Sequence, residues 1–182
     1  MTETLPDVLR RLFEALDGHR DRIPLEDLAD HLAATPLCFE DVEPHAYFGE
    51  RTYRRNLLHA GPAYQALVLC WRNGQRSPIH DHRGSSCGVR VLRGVATETQ
   101  FTLSPNGLIL ATHSRELAEG SVCASQDADI HQMSNLQAGG ADLVTLHVYS
   151  PPLLRMGTYS LTDRKVGEFV DPVFENCHGA GI

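Results

Sequence analysis

Gly74-Gln75-Arg76-Ser77-Pro78-Ile79-His80-Asp81-His82-Arg83-Gly84-Ser85-Ser86-Cys87-Gly88-Val89-Arg90-Val91-Leu92-Arg93-Gly94 is the most informative stretch of this 182-residue chain. Side chains two apart in a strand share a face, so His80 and His82 can send both imidazoles into one cavity. An H-x-H pair alone is a weak signal, because surface histidines at that spacing are common. Its surroundings add weight. Gly74 lies six positions before His80, Cys87 five after His82, and Gly94 seven after Cys87. Downstream, Gly120 lies eleven positions before His131, and Asn135 four after it.

Working outward, the chain from about Tyr53 is a series of short β-rich runs: 53–58, 63–71, 78–82, 87–93, 95–103, 107–112, 121–124, 130–135, 142–149 and 157–161. Turn residues separate them, including Gly61-Pro62, Asn73-Gly74, Arg83-Gly84, Glu119-Gly120 and Gly139-Gly140. Strands at such short, even intervals predict an antiparallel sandwich or barrel. The first third is helical in pattern. Leu5, Val8, Leu9, Leu12, Phe13 and Leu16 recur at helical spacing before Asp17-Gly18, and Leu25, Leu28, Ala29 and Leu32 lie between Pro24 and Pro36. A short third helix is expected near 40–48. The expected organisation is a helical segment, 1–50, packed on a barrel, 51–182, in one structural domain.

Hydrophobic residues at 42% and charged residues at 21% exclude a disordered chain. The formal charge of −7 argues against nucleic acid or an anionic membrane as a partner, and no apolar run approaches the roughly 20 residues of a bilayer span. The N-terminal sequence lacks a basic and then apolar leader. Five cysteines (38, 70, 87, 123 and 177) form no C-x-x-C pair, so a reducing cytoplasm is the expected compartment.

The spacings around His80, His82 and His131 resemble the two cupin motifs, G-x5-H-x-H-x4-E-x6-G and G-x5-P-x-G-x2-H-x3-N. Gln126 and Ala128 replace the usual Pro and Gly of the second motif, and Cys87 replaces the usual glutamate of the first. The resemblance sharpens to the cysteine dioxygenases. Cys70-Trp71, Ile79-His80-Asp81-His82, Cys87 and Leu92-Arg93-Gly94 match that family's first motif without a gap. Tyr53-Arg54-Arg55-Asn56-Leu57 is similar to its Y-x-R-N-L segment, and Leu146-His147-Val148-Tyr149-Ser150-Pro151-Pro152 to its L-H-L-Y-S-P-P signature. The match runs from about residue 50 to 160. It implies a mainly β cupin barrel, a small antiparallel jelly-roll, with an N-terminal helical segment.

The resemblance also implies a mononuclear iron(II) held by His80, His82 and His131, and oxidation of L-cysteine by dioxygen to cysteine sulfinic acid. Three neutral nitrogens and no carboxylate leave the metal's charge uncompensated, which favours an anionic, chelating substrate such as a thiolate. The same three ligands could hold zinc as a Lewis acid, although a zinc hydrolase would want a nearby general base. Arg55 becomes a clamp for the substrate carboxylate; read locally, Arg51, Arg54 and Arg55 make only a solvated basic cluster. Tyr53, two residues away, is expected to line the same pocket. In 142–149, Val144, Leu146 and Val148 form one face, while Thr145, His147 and Tyr149 form the other. Pointing inward, that polar file is a relay of hydroxyl, imidazole and phenol; pointing outward, it is a solvated face. The resemblance further implies that Cys87 and Tyr149 can join through a thioether, the alternative being a free, buried Cys87 that serves as a small apolar filler.

Cys70, Cys123 and Cys177 are expected as small apolar fillers, and His19, His31, His45, His59, His113 and His178 as structural. The implied partners are a small-molecule thiol and dioxygen, with no nucleic acid and no membrane. The oligomeric state stays open, a monomer being compatible with the sequence. Two alternatives accompany the reading. One is a mercaptopropionate-type thiol dioxygenase, for which glutamine at the Arg55 position and glycine at the Cys87 position would be expected. The other is a cupin that only binds a small molecule.

Overall fold

The structure, a computed structural model, describes residues 5–127 and 129–170. Ala128, Cys177 and His178 lie outside the described residues, as do the outer ends of the expected 1–50 and 51–182 segments. All ten β-rich runs contain strands: β1 Arg54–Ala60, β2 Gln65–Trp71, β3 Ile79–His80, β4 Ser86–Arg93, β5 Val95–Leu103, β6 Ile109–Ala118, β7 Val122–Gln126, β8 Ile130–Ser134, β9 Leu143–Ser150 and β10 Arg155–Tyr159. An eleventh, β11 Val166–Val170, was not expected. The paired strands are antiparallel, in a five-stranded sheet of order β1-β2-β9-β4-β7 and a six-stranded sheet of order β11-β10-β3-β8-β5-β6.

The two sheets pack through a shared core. Leu67, Leu69, Trp71, Val89, Val91 and Leu143 of the first meet Ala96, Leu117, Met133 and Met156 of the second. Burial on both faces explains why β2 and β9 are buried along their whole lengths. The outer face of the five-stranded sheet is covered by two helices, α1 Asp7–Leu16 and α2 Leu25–Ala34. Their apolar stripes, including Leu9, Leu12, Phe13, Leu16, Leu28 and Leu32, join Ala66, Val68, Leu92, Val144, Leu146 and Val148 in one cluster. Gly88 on β4 makes that contact possible. A Cβ there would fall 2.6 Å from Leu32 Cδ1 and 2.9 Å from Leu28 Cγ.

Two elements differ from expectation. In place of a third helix near 40–48 are two single 3-10 turns, Phe39–Asp41 and Glu43–His45. The Asp41 carboxylate accepts from the Cys38 N–H at 2.9 Å and closes the first turn, and Pro44, lacking an N–H, cannot extend an α-helical ladder. Strand β6 runs on to Ala118, beyond the expected 112. Most of its residues are exposed at the sheet edge, so apolar alternation does not mark them.

Candidate active site

The H-x-H segment is held in place by its middle residue. Asp81 points away from the histidines and accepts from the Gly157 N–H at 2.9 Å and the Tyr159 hydroxyl at 2.8 Å, both on β10. Gly157 is required for this approach, since a Cβ there would lie 2.5 Å from Asp81 Oδ2. Strand β3 ends at His80, and the His82 N–H is taken up by the Asp127 carbonyl at 2.9 Å. His131 stands directly opposite His80 in the β3–β8 pair. The three rings converge with centroids 4.8–5.3 Å apart, and one ligand atom from each lies within 4.8 Å of the others.

All three rings are buried. His80 Nδ1 lies 3.0 Å from the Pro78 carbonyl, and His131 Nδ1 lies 3.0 Å from Glu98 Oε1. Both oxygens accept, so each Nδ1 carries a proton, and in the neutral ring that leaves Nε2 as the donor atom for a metal. Among the described residues, neither His82 nitrogen has a hydrogen-bond partner. An unsatisfied polar group in such a place costs about 1–3 kcal/mol, and a metal ion would satisfy it. Burial, followed by the neighbouring His131, lowers His80 to about 3 and holds His82 well below the usual imidazole range. Both rings are therefore neutral at pH 7, the form that binds metal. The donor set fits a divalent transition metal.

Behind His131 the structure adds two residues that the sequence did not single out. Glu98 on β5 is buried between His131 and Arg115, whose Nε donates to its Oε2 at 2.7 Å. Burial alone would raise the Glu98 carboxyl, but bonds from His131 and then Arg115 hold it below its ordinary value. The available signal was faint: Glu98 shares the strand face of Ala96, which a glutamate occupies only when paired.

On β9 the alternation is resolved. Val144, Leu146 and Val148 face the helices, while Thr145, His147 and Tyr149 are buried on the other side. Trp71 Nε1, which can only donate, bonds Thr145 Oγ1 at 3.0 Å. His147 Nε2 lies 2.9 Å from the same oxygen, and His147 Nδ1 lies 3.1 Å from the Tyr149 hydroxyl. With the indole on one Thr145 lone pair, the hydroxyl keeps its hydrogen and a second lone pair, either of which pairs with His147 Nε2. The imidazole thus bridges the threonine and tyrosine hydroxyls. Burial and the charge of Arg55 keep His147 neutral.

Arg55 is buried on β1, with its guanidinium carbon 5.3 Å from the Tyr149 ring centroid. Tyr53 stacks on Trp71, centroids 4.2 Å apart and planes 11° from parallel, next to the start of the relay. Cys87 on β4 is the direct cross-strand partner of Tyr149 on β9. Burial, followed by nearby Cys123, pushes its thiol up, while a hydrogen bond with Tyr149 pulls the other way. Cys70 and Cys123 are buried as well, and both thiols are raised to about 12, chiefly by burial.

The family model described as cysteine dioxygenase type I matches residues 4–162. The cysteine dioxygenase type 1 of Rattus norvegicus is 31% identical over 153 residues, covering 82% of this chain and 75% of that one. That of Danio rerio is 28% identical over 170 residues, covering 91% and 82%. Two solved structures share the architecture. One is a conserved protein with a double-stranded β-helix domain from Klebsiella pneumoniae, with a TM-score of 0.50 and 16% identity, covering 71% of this chain and 87% of that one. The other is an RmlC-like cupin from Ralstonia eutropha, with a TM-score of 0.50 and 14% identity, covering 71% and 73%. At these identities the likeness bears on fold alone, and the fold is the cupin barrel.

Proposed function

From the premise that the chain belongs to the cysteine dioxygenase type I family, we propose that it is an iron(II)-dependent enzyme that places both atoms of dioxygen on the sulfur of L-cysteine, giving cysteine sulfinic acid. The observation that carries the metal assignment is the convergence of three buried histidines, one of which has, among the described residues, no hydrogen-bond partner for either ring nitrogen. His80, His82 and His131 would hold the ion. When bound, iron(II) would supply the open coordination and the electron-transfer chemistry that join a thiolate to dioxygen.

The chain's own residues bind and orient. Arg55 takes the substrate carboxylate through paired N–H bonds, which fixes the amino acid against the histidine face. Tyr53 shapes the pocket through its stack on Trp71. The run from Trp71 through Thr145 and His147 fixes the Tyr149 hydroxyl, which steadies the substrate in the cavity. Cys87 would join Tyr149 through a thioether, a reading supported by their direct cross-strand pairing. Forming that bond removes the thiol hydrogen and one ring hydrogen, and both hydrogens with their two electrons pass to dioxygen, giving hydrogen peroxide.

Arg55 and Cys87 favour cysteine over mercaptopropionate as the substrate. Residues 1–50 and 51–182 are read as parts of one domain, and the protein as working in a reducing cytoplasm, which the free thiols of Cys38, Cys70, Cys87 and Cys123 support. Among the described residues, no helix is long and apolar enough to cross a membrane. Dioxygen uptake by the iron-loaded protein with cysteine, mercaptopropionate and cysteamine tests the proposal. Turnover is expected with cysteine foremost, and preference for mercaptopropionate, or no uptake with any thiol, would reject it.

A further inference from the structure

The three-histidine set brings no carboxylate to the centre, yet one stands immediately behind it. Glu98 Oε1 accepts from His131 Nδ1 at 3.0 Å, and its Oε2 accepts from Arg115 Nε at 2.7 Å and Nη2 at 2.6 Å. Glu98 is 3% exposed, and Arg115 reaches it from a position 41% exposed. A carboxylate this deep persists because both of its oxygens are bonded. Neither residue belongs to the ligand set, the clamp or the relay.

We propose that Glu98 is a positioning residue for the metal centre, supplying through His131 the carboxylate charge that the ligand set lacks, and that Arg115 limits how much of that charge reaches the metal. The inference rests on the reading of the three histidines as an iron(II) site. A carboxylate on Nδ1 fixes the imidazole tautomer and orientation and makes the opposite nitrogen a better donor. The Arg115 guanidinium draws on the same carboxylate from the far side. The geometry thus contains two levers of opposite sign on one ligand.

Two variants of the full-length, iron(II)-loaded chain separate charge from packing. Glu98→Gln keeps the shape and removes the charge; Arg115→Gln keeps the carboxylate and removes its counter-charge. Glu98→Gln is expected to weaken iron(II) binding about 10- to 100-fold in a chelator competition and to raise the iron(III)/iron(II) midpoint potential. Arg115→Gln is expected to lower that potential. A packing role alone would move both potentials the same way or neither, and either result overturns the inference. If Glu98→Gln does not fold, the sign of the Arg115→Gln shift decides. A wild-type chain that binds no iron(II) would overturn the proposed function along with this inference. One that binds iron and oxidises cysteine, with unmoved potentials in the variants, would overturn the inference alone.

Discussion

At the scale of single residues, His82 and Arg55 carry distinct and separable parts of the account. Among the described residues His82 has no hydrogen-bond partner for either ring nitrogen, which leaves both available for the proposed metal. His82→Ala is expected to abolish near-stoichiometric iron(II) loading, because two neutral nitrogens hold a hydrated iron(II) ion poorly; a variant that keeps full iron and full turnover would show the assignment to be wrong. Arg55→Ala is expected to weaken cysteine binding through the loss of a charge-assisted pair, about 2–3 kcal/mol or roughly 30- to 150-fold. Cysteamine, which lacks the carboxylate, should lose little. Binding isotherms for both thiols check this, and equal losses would sink the clamp.

At the scale of elements, the β4–β9 pair sets Cys87 opposite Tyr149 and continues the polar file of Thr145 and His147 along the same inner face. Locking the phenol by a thioether would remove rotamer freedom and hold it in the cavity. Peptide mass spectrometry after many turnovers is expected to find a joined Cys87–Tyr149 peptide pair lighter by two hydrogens, with activity rising modestly as it accumulates; its complete absence would reject the link. Strand β9 was legible in the sequence because it separates apolar Val144, Leu146 and Val148 from a polar file. The sequence left open which face lay inside, since a polar file reads equally well as solvated, and only the helices packed on the valine face decide it. Glu98 and Arg115 were illegible for the same reason: polar residues on strands look solvent-facing until a partner across the sheet is known. The lower half of β6 and all of β11 are mostly exposed edge segments whose few apolar residues, Leu117, Val166, Phe169 and Val170, make no regular alternation. The helical stripes of α1 and α2 did, because each buries one face against the sheet.

At the scale of the whole molecule, the centre lies where the two sheets face each other, and its polar groups are sealed by packing from both. His147 is one consequence. Burial and then the Arg55 charge depress it in the folded protein, so the unfolded chain binds more protons below the ordinary histidine value of about 6.5. Stability from this group is present above that pH and is lost as pH falls toward the depressed folded value, at about 1.4 kcal/mol per pH unit. Urea unfolding of the metal-free protein between about pH 6 and 5 is expected to be steeper in pH for wild type than for His147→Gln by that amount; equal slopes would contradict a buried neutral His147. The central claim is that this barrel brings a thiolate and dioxygen together on one three-histidine iron. Turnover of L-cysteine by the iron-loaded protein under isotopically labelled dioxygen, with mass analysis of the product, tests it most directly: the account predicts cysteine sulfinic acid with both sulfinate oxygens labelled, and a product carrying only one label, or none, would contradict it.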